Sequence, residues 1–366
     1  MKLIIAREKL LPYLAHIVGV IEKRQTMPIL SNVLMIIDNQ QLTLIGTDLE
    51  IQMVANIAID QDISWVVSLP ARKLLDICRL LPNGSMLKLE KADDKVKLLA
   101  NRSRFSLNSL PSEHFPKFNQ DDFENYFYIN AAQLKKGIEK TTFCMAVQDV
   151  RYYLNGLLLI ISNCKLKLIA SDGHRLAIFE DVLAMATGVE KRLIIPRKCV
   201  IELSKLLGDV DSDVKVDYSN NSVRFGINNL LLSSKLIEGN YPDFSKVFQQ
   251  EFCSAIFIEK QILKDALARV AILSHDKIKG ISLDINTHNL RISTHNMEND
   301  EAEEELSIEF GDQPFSIAFN AQYLLDAISN ISVDFAKLIF AKNASTCFIE
   351  ESGDSNYHFI VMPMRL

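Results

Sequence analysis

The chain has 366 residues, 48% of them hydrophobic and 23% charged, with a formal net charge of −6. That length supports two or three domains with cores of their own, and the proportions exclude a disordered, collagen-like or coiled-coil chain. The start Met1-Lys2-Leu3-Ile4-Ile5 has no signal-peptide pattern, and apolar runs such as Leu157–Ile161 are too short to cross a bilayer, so a cytoplasmic protein with no membrane contact is expected.

In chain order, helices are predicted over residues 7–24, 70–82, 130–144, 196–207, 259–273 and 320–331, with strands rich in Leu, Ile and Val between them. Pro70 and Pro196 suit helix starts, where a missing N–H costs nothing. Three landmarks recur along the chain. Apolar strands open at Leu30-Ser31-Asn32, Leu154-Asn155-Gly156 and Ile278-Lys279-Gly280, 124 residues apart each time. The pairs Thr47-Asp48, Ser171-Asp172 and Thr294-His295 follow at spacings of 124 and 123, and the helical acids Asp76, Glu202 and Asp326 at 126 and 124. Three landmarks in step predict three copies of one α+β domain, each a run of helix, strands, helix, strands with helices on one face of a sheet. Polar stretches near 119–124 and 248–252 set the expected domains at 1–122, 123–248 and 249–366. The cysteines Cys78, Cys144, Cys164, Cys199, Cys253 and Cys347 form no C-x-x-C pair and are expected as reduced, small apolar residues.

Charge is unevenly placed. Residues 7–24, 70–82, 130–144 and 196–207 each carry two more basic than acidic side chains, 259–273 one more, and 320–331 a single acid. The acidic excess therefore lies outside the helices. Glu favours helices as much as Lys and Arg do, so propensity does not explain the imbalance. A basic helical layer on an otherwise acidic protein would hold a polyanion on that face and repel it elsewhere.

No catalytic, metal or cofactor site is expected. The stretch Ser171-Asp172-Gly173-His174-Arg175 gathers hydrolase-like residues, but triads assemble from distant segments, no G-x-S-x-G occurs, and the other copies do not keep the set. Asp209-Val210-Asp211-Ser212-Asp213 resembles a calcium loop but has Val214 at its sixth position and Asn220 at its twelfth. The acids Glu301, Glu303, Glu304 and Glu305 read as a solvated or partner-binding face. Without a zinc spacing, a helix-turn-helix or an aromatic RNA platform, DNA contact would be to the backbone and independent of sequence. The competing class is a repeat scaffold that binds proteins only.

The stretches QDVRYYLNG (148–156), SDGHRLA (171–177), YPDF (241–244) and VMPMRL (361–366), with GTDLE (46–50), PARK (70–73), RSRFSL (102–107) and the threefold repeat, resemble the β subunit of bacterial DNA polymerase III, the β sliding clamp family. The resemblance covers the whole chain. It implies three clamp domains per chain and two chains in a closed ring, helices lining the hole and sheets outside. It also implies a non-enzymatic processivity factor on double-stranded DNA. Implied partners are the polymerase III catalytic subunit, an ATP-dependent clamp loader, and other polymerases and repair proteins with clamp-binding peptides. Implied DNA contacts are Arg24, Gln148, Tyr152, Tyr153 and Lys198. A cleft for partner peptides is implied at Leu154, Ser171, Gly173, His174, Arg175, Leu176, Pro242, Lys246, Val247, Asn320, Tyr323, Val361, Met362, Pro363, Met364, Arg365 and Leu366. Ser171 replaces the usual Thr and Lys246 the usual Arg, both mild changes. The implied dimer seam sets Lys73, Arg102, Phe105 and Leu107 against Ile272, Leu273, Glu298, Glu301, Glu303 and Glu304.

Overall fold

The computed structural model describes the chain except residues 1, 23–26, 117, 119–122, 124, 185–189, 209, 276–277, 297, 352–353 and 366, and the side chains of 354 and 355. Arg24 and Leu366 therefore lie outside the described residues. Among the described residues six α-helices form: α1 Arg7–Val20, α2 Ala71–Leu80, α3 Ala131–Thr141, α4 Arg197–Leu207, α5 Lys260–Ala271 and α6 Ala321–Ser329. Each buries one stripe at helical spacing, such as Ala71, Leu74, Leu75 and Cys78 on α2, or Leu263, Ala266, Leu267 and Val270 on α5. Burying each such leucine contributes about 2 kcal/mol. Pro70 and Pro196 stand one place earlier than expected, at the N-caps of α2 and α4. Each also ends the preceding strand, and its fixed φ turns the chain from strand to helix.

Two compact units result: residues 1–135 with 195–237, and residues 136–194 with 238–366. The first holds a four-stranded antiparallel sheet in the order Lys2–Ala6, Met86–Ala92, Lys95–Ala100, Ser103–Asn108. Its second sheet has eight strands, in the order Trp65–Pro70, Asn32–Asp38, Gln41–Thr47, Ile51–Ala58, Leu230–Lys235, Ser222–Ile227, Asp213–Tyr218, Asn125–Asn130. The second unit repeats the pattern. Its eight-stranded sheet runs Lys191–Pro196, Gly156–Ser162, Lys165–Ser171, Arg175–Val182, Asp354–Val361, Cys347–Glu351, Phe335–Phe340, Ile256–Glu259. Its four-stranded sheet runs Glu301–Ser307, Asn289–His295, Gly280–Ile285, Phe315–Asn320. Strand alternation explains the faces: Leu166, Leu168 and Ala170 point into the core, while Lys165 and Lys167 stand outward.

Each eight-stranded sheet is sealed where one copy of the repeat meets the next. In the first unit Met53 faces Leu232 and Ala55 faces Leu230; in the second Ala177 faces Phe359 and Phe179 faces Tyr357. Both junctions also carry buried charge. Glu202 on α4, 7% exposed, bonds Lys205 at 2.6 Å and lies so close to Gly19 on α1 that a Cβ there would sit 2.3 Å from its Oε2. Lys140 on α3 and Glu351, 8% and 6% exposed, pair at 3.3 Å, and Lys140 Nζ also lies 4.4 Å from the Tyr357 ring centre. Four cysteines are buried as expected, but Cys164 is exposed. Burial pushes the Cys78 thiol up to about 11 and Cys199 up to about 12.

Candidate functional site

The stretch that resembles a hydrolase motif is a turn, and it recurs. Asp172 Oδ1 accepts from the backbone N–H of His174 and Arg175, at 2.9 and 3.1 Å, closing the loop between strands Lys165–Ser171 and Arg175–Val182. Asp48 Oδ1 does the same for Glu50 and Ile51, at 2.9 and 2.8 Å. The residue before each aspartate also matches: Ser171 Oγ donates to Arg175 O and accepts from Gly173 N–H, while Thr47 Oγ1 donates to Ile51 O and accepts from Leu49 N–H. In the third copy the equivalent is Asn296, whose Oδ1 accepts from Glu298 and Asp300 N–H, both at 2.9 Å. The third landmark is therefore His295-Asn296, one residue later than the sequence pairing, and the spacing is 124 throughout. What repeats is an Asx turn, not a reactive group.

In the second unit this turn gathers much of the expected cleft. Ser171 N–H donates to the Tyr241 hydroxyl at 2.9 Å, and burial pushes the Tyr241 phenol up. Arg175 bonds Asp172 at 2.9 Å and Asp326 of α6 at 2.5 Å, with its guanidinium 4.5 Å from the Tyr323 ring. His174 stacks on Tyr323 at 6.4 Å, and its carbonyl accepts from Met362 N–H at 2.9 Å. Met364 N–H donates to Ala318 O at 2.8 Å, holding the chain end as an extended arm. Asn320 caps α6 by accepting from Gln322 and Tyr323 N–H. Leu154, Leu176 and Val361 are buried beneath; Gly173, His174, Lys246 and Arg365 are exposed; Pro242, Val247, Met362 and Pro363 are half-buried.

A cavity of about 700 Å³ lies beside these residues, on the outer face of the same sheet. Its lining includes Ile160, Ile169, Ile178, Phe244 and Phe248, and of the expected cleft it takes only Pro242. Leu176 and Ile178 point to the same face of one strand, so cleft and cavity are neighbours. Tyr241, Asp326, Asp149 and Arg151 were missed as site residues, although Tyr241, Asp149 and Arg151 stand inside the stretches QDVRYYLNG and YPDF.

The expected DNA contacts are split between the units. Tyr152 is 75% exposed and Tyr153 packs edge-on to Tyr241 at 6.3 Å, while Gln148 is exposed with a φ of 56°. Lys198 on α4 is half-buried in the first unit, bonding Glu22 at 3.1 Å and Asp48. Its charge is thus balanced within the chain, which the sequence did not reveal.

Models of the DNA polymerase III beta subunit match the chain in three consecutive stretches: N-terminal domain over 1–119, central domain over 128–243, C-terminal domain over 245–365. The chain belongs to the DNA polymerase III beta subunit family. Along their full length, proteins named beta sliding clamp share this sequence: that of Pseudomonas putida is 37% identical over 99% of both chains, and that of Escherichia coli K12 36% identical over 100% of both. The crystal structure of the Pseudomonas aeruginosa subunit superimposes with a TM-score of 0.96 at 36% identity, covering 100% of each chain. A P. aeruginosa clamp bound to griselimycin gives 0.95 at 36% identity, with the same coverage. Among the described residues no helix is long and apolar enough to cross a membrane.

Proposed function

We propose that two copies of this chain close head to tail into a ring around duplex DNA and tether a replicative polymerase to its template. The observation that carries this reading is a pair of unmatched sheet edges. Placing Ser103–Asn108 beside Glu301–Ser307 joins the two four-stranded sheets in the same strand order as each eight-stranded sheet. The repeat supports one register. Met53–Leu232 and Ala177–Phe359 are equivalent pairs, and their counterparts are Ala302 and Phe105. Arg104 then faces Glu303, Ser103 faces Glu304 and Ser106 faces Glu301. Core-side residues meet core-side residues, and a basic strand meets an acidic one. Exposed Ile272 and half-buried Leu273, just beyond α5, extend the apolar part of this seam, with Lys73, Arg102, Leu107 and Glu298 at its margins.

Retention by topology needs no tight contact. Loose attraction between phosphates and a basic helical layer, with Gln148, Tyr152, Tyr153, Arg24 and Lys198 as contacts, keeps the barrier to sliding low. The turn at Ser171–Arg175, the arm Val361–Arg365 and the segment Pro242–Val247 form the cleft for peptides of the polymerase III catalytic subunit, the ATP-dependent clamp loader, and other polymerases and repair proteins. Met362 and Met364 adapt to varied apolar anchors. The protein works in the cytoplasm and is not an enzyme; Ser171 Oγ is engaged in its own turn.

The test is topological. The protein is loaded onto nicked circular DNA with a matched clamp loader and ATP, washed in high salt, and the circle is then linearised. Retention on the circle with release from the linear form is expected. Salt release from both, after confirmed loading, means ordinary electrostatic binding and overturns the ring.

A further inference from the structure

The loop from Val147 to Asn155 is held by its own polar side chains. Asp149 N–H donates to Asn155 Oδ1 at 2.9 Å, and Asn155 Nδ2 returns a bond to Asp149 O at 2.8 Å. Ala146 N–H donates to Leu154 O at 3.0 Å across the base of the loop. So braced, it presents Val147, Val150 and Tyr152 outward at 68%, 87% and 75% exposure. Exposed apolar tips on a rigid frame mark a contact surface rather than a relaxed loop.

Arg151 closes the frame from within. Its backbone N–H and Nε donate to Asp149 Oδ1 at 2.8 and 3.0 Å, and Nη2 donates to Asp149 Oδ2 at 2.8 Å. The same Nη2 donates to Asp172 O at 3.0 Å, on the turn that leads into the cleft. The guanidinium lies against the backbone of that turn: a Cβ on Gly173, whose φ is 87°, would stand 2.7 Å from Nη1. One residue on, His174 carries Tyr323 and Met362. A planar, five-donor fork is the group that bridges two backbones in this way; a lysine ammonium lacks the geometry.

We propose that Arg151 is a positioning residue shared by the DNA-facing loop and the peptide cleft, so that the two surfaces form one mechanical unit and a change in either is felt by the other. This rests on the ring-and-cleft reading above and adds that the two contacts are coupled. The physical link is contiguous, running from Asp149 through Arg151 to Asp172, Gly173 and His174.

The deciding variant is Asp149→Asn, because both carboxylate oxygens of Asp149 bond Arg151, and Arg151→Lys beside it separates that link from the direct attraction between the Asp149 charge and His174. Peptide affinity is measured by anisotropy of a fluorescent hexapeptide with Leu and Phe anchors, and loop order by amide hydrogen exchange over 147–155. Coupling of this kind is worth roughly twofold to thirtyfold. The expected result is a loss of about tenfold in peptide affinity together with faster loop exchange. Arg151→Lys should show the same pair of effects, and combining the two substitutions should add little further loss. Faster loop exchange with peptide affinity within twofold of the parent overturns the coupling, as does unchanged loop exchange in both variants. Failure of the parent protein itself to bind the peptide is a different outcome, and it counts against the cleft.

Discussion

Reversing Arg104 tests the head-to-tail seam at a single residue. The proposed register sets Arg104 on the outward face opposite Glu303, with Glu301 and Glu305, two residues either side of Glu303, on that same face. Arg104→Glu replaces one attraction with repulsion from three carboxylates. Cross-strand charge pairs are worth roughly 0.2–1 kcal/mol each, so one seam loses about 2 kcal/mol, or about 30-fold. A two-chain ring has two seams, and its dissociation constant should rise by about a thousandfold. Sedimentation velocity over a dilution series reads this directly. Glu303→Arg in the same chain should restore most of the affinity, though it also breaks the 2.5 Å pair that Glu303 makes with Arg291. Glu304→Arg should not rescue, because Glu304 points to the helix-side face, where it bonds Arg269 at 2.9 Å. A dimer unchanged by Arg104→Glu, or rescue equally good from either glutamate, would refute the register.

Two further outcomes follow from groups already placed. Lys140→Met leaves Glu351 buried without its cation and should cost about 3–5 kcal/mol in urea unfolding; Lys140→Met with Glu351→Gln should recover at least about 1 kcal/mol of that. A single-variant loss under about 1 kcal/mol would show that the pair is not desolvated. Bonds from Arg151 lower the Asp149 carboxyl from 3.8 to about 2. Because the folded value is the lower one, this support for the loop is full above the unfolded value near 4 and fades as pH falls to about 2. A carboxyl carbon titration of Asp149 should find its midpoint near 2, and a midpoint near 4 would exclude the Arg151 bonds in solution.

The threefold repeat was legible because its landmarks are backbone necessities. A side-chain acceptor must close each Asx turn, and helix stripes must fall at 3.6-residue spacing. The third turn was aligned one residue early because Thr294-His295 matches Thr47-Asp48 in its first residue type, whereas the capping acceptor is Asn296. Periodicity also cannot say which strand edges meet. The central repeat contributes strands to both units, since Leu230–Lys235 pairs with Ile51–Ala58 and Arg175–Val182 with Asp354–Val361. Lys198 shows the limit for sites: its type and helix point to phosphate, but its pairing with Asp48 and Glu22 is set by atoms 150 and 176 residues away.

The two kinds of edge in this fold also favour the head-to-tail association proposed above over its alternatives. Edges joined within the chain carry Met53, Ala55, Leu230 and Leu232, or Ala177, Phe179, Tyr357 and Phe359, all buried. The two edges that lack the partner strand their repeat equivalents have carry charge instead, Arg104 with Arg102 just before it on one and four glutamates on the other. Charge on an exposed edge keeps water bound and discourages strand addition by strangers. Like edges repel, so neither basic-to-basic nor acidic-to-acidic pairing competes. Only the unlike pair brings opposite charges into register, and it does so while placing Phe105 on the core side. A seam built from charge is also weaker than one built from buried aromatic and aliphatic side chains, because exposed pairs are screened and worth little each. In the proposed ring circular DNA enters only through a break, and the chemistry of the edges favours that break at the seam between chains over the sealed junctions within them.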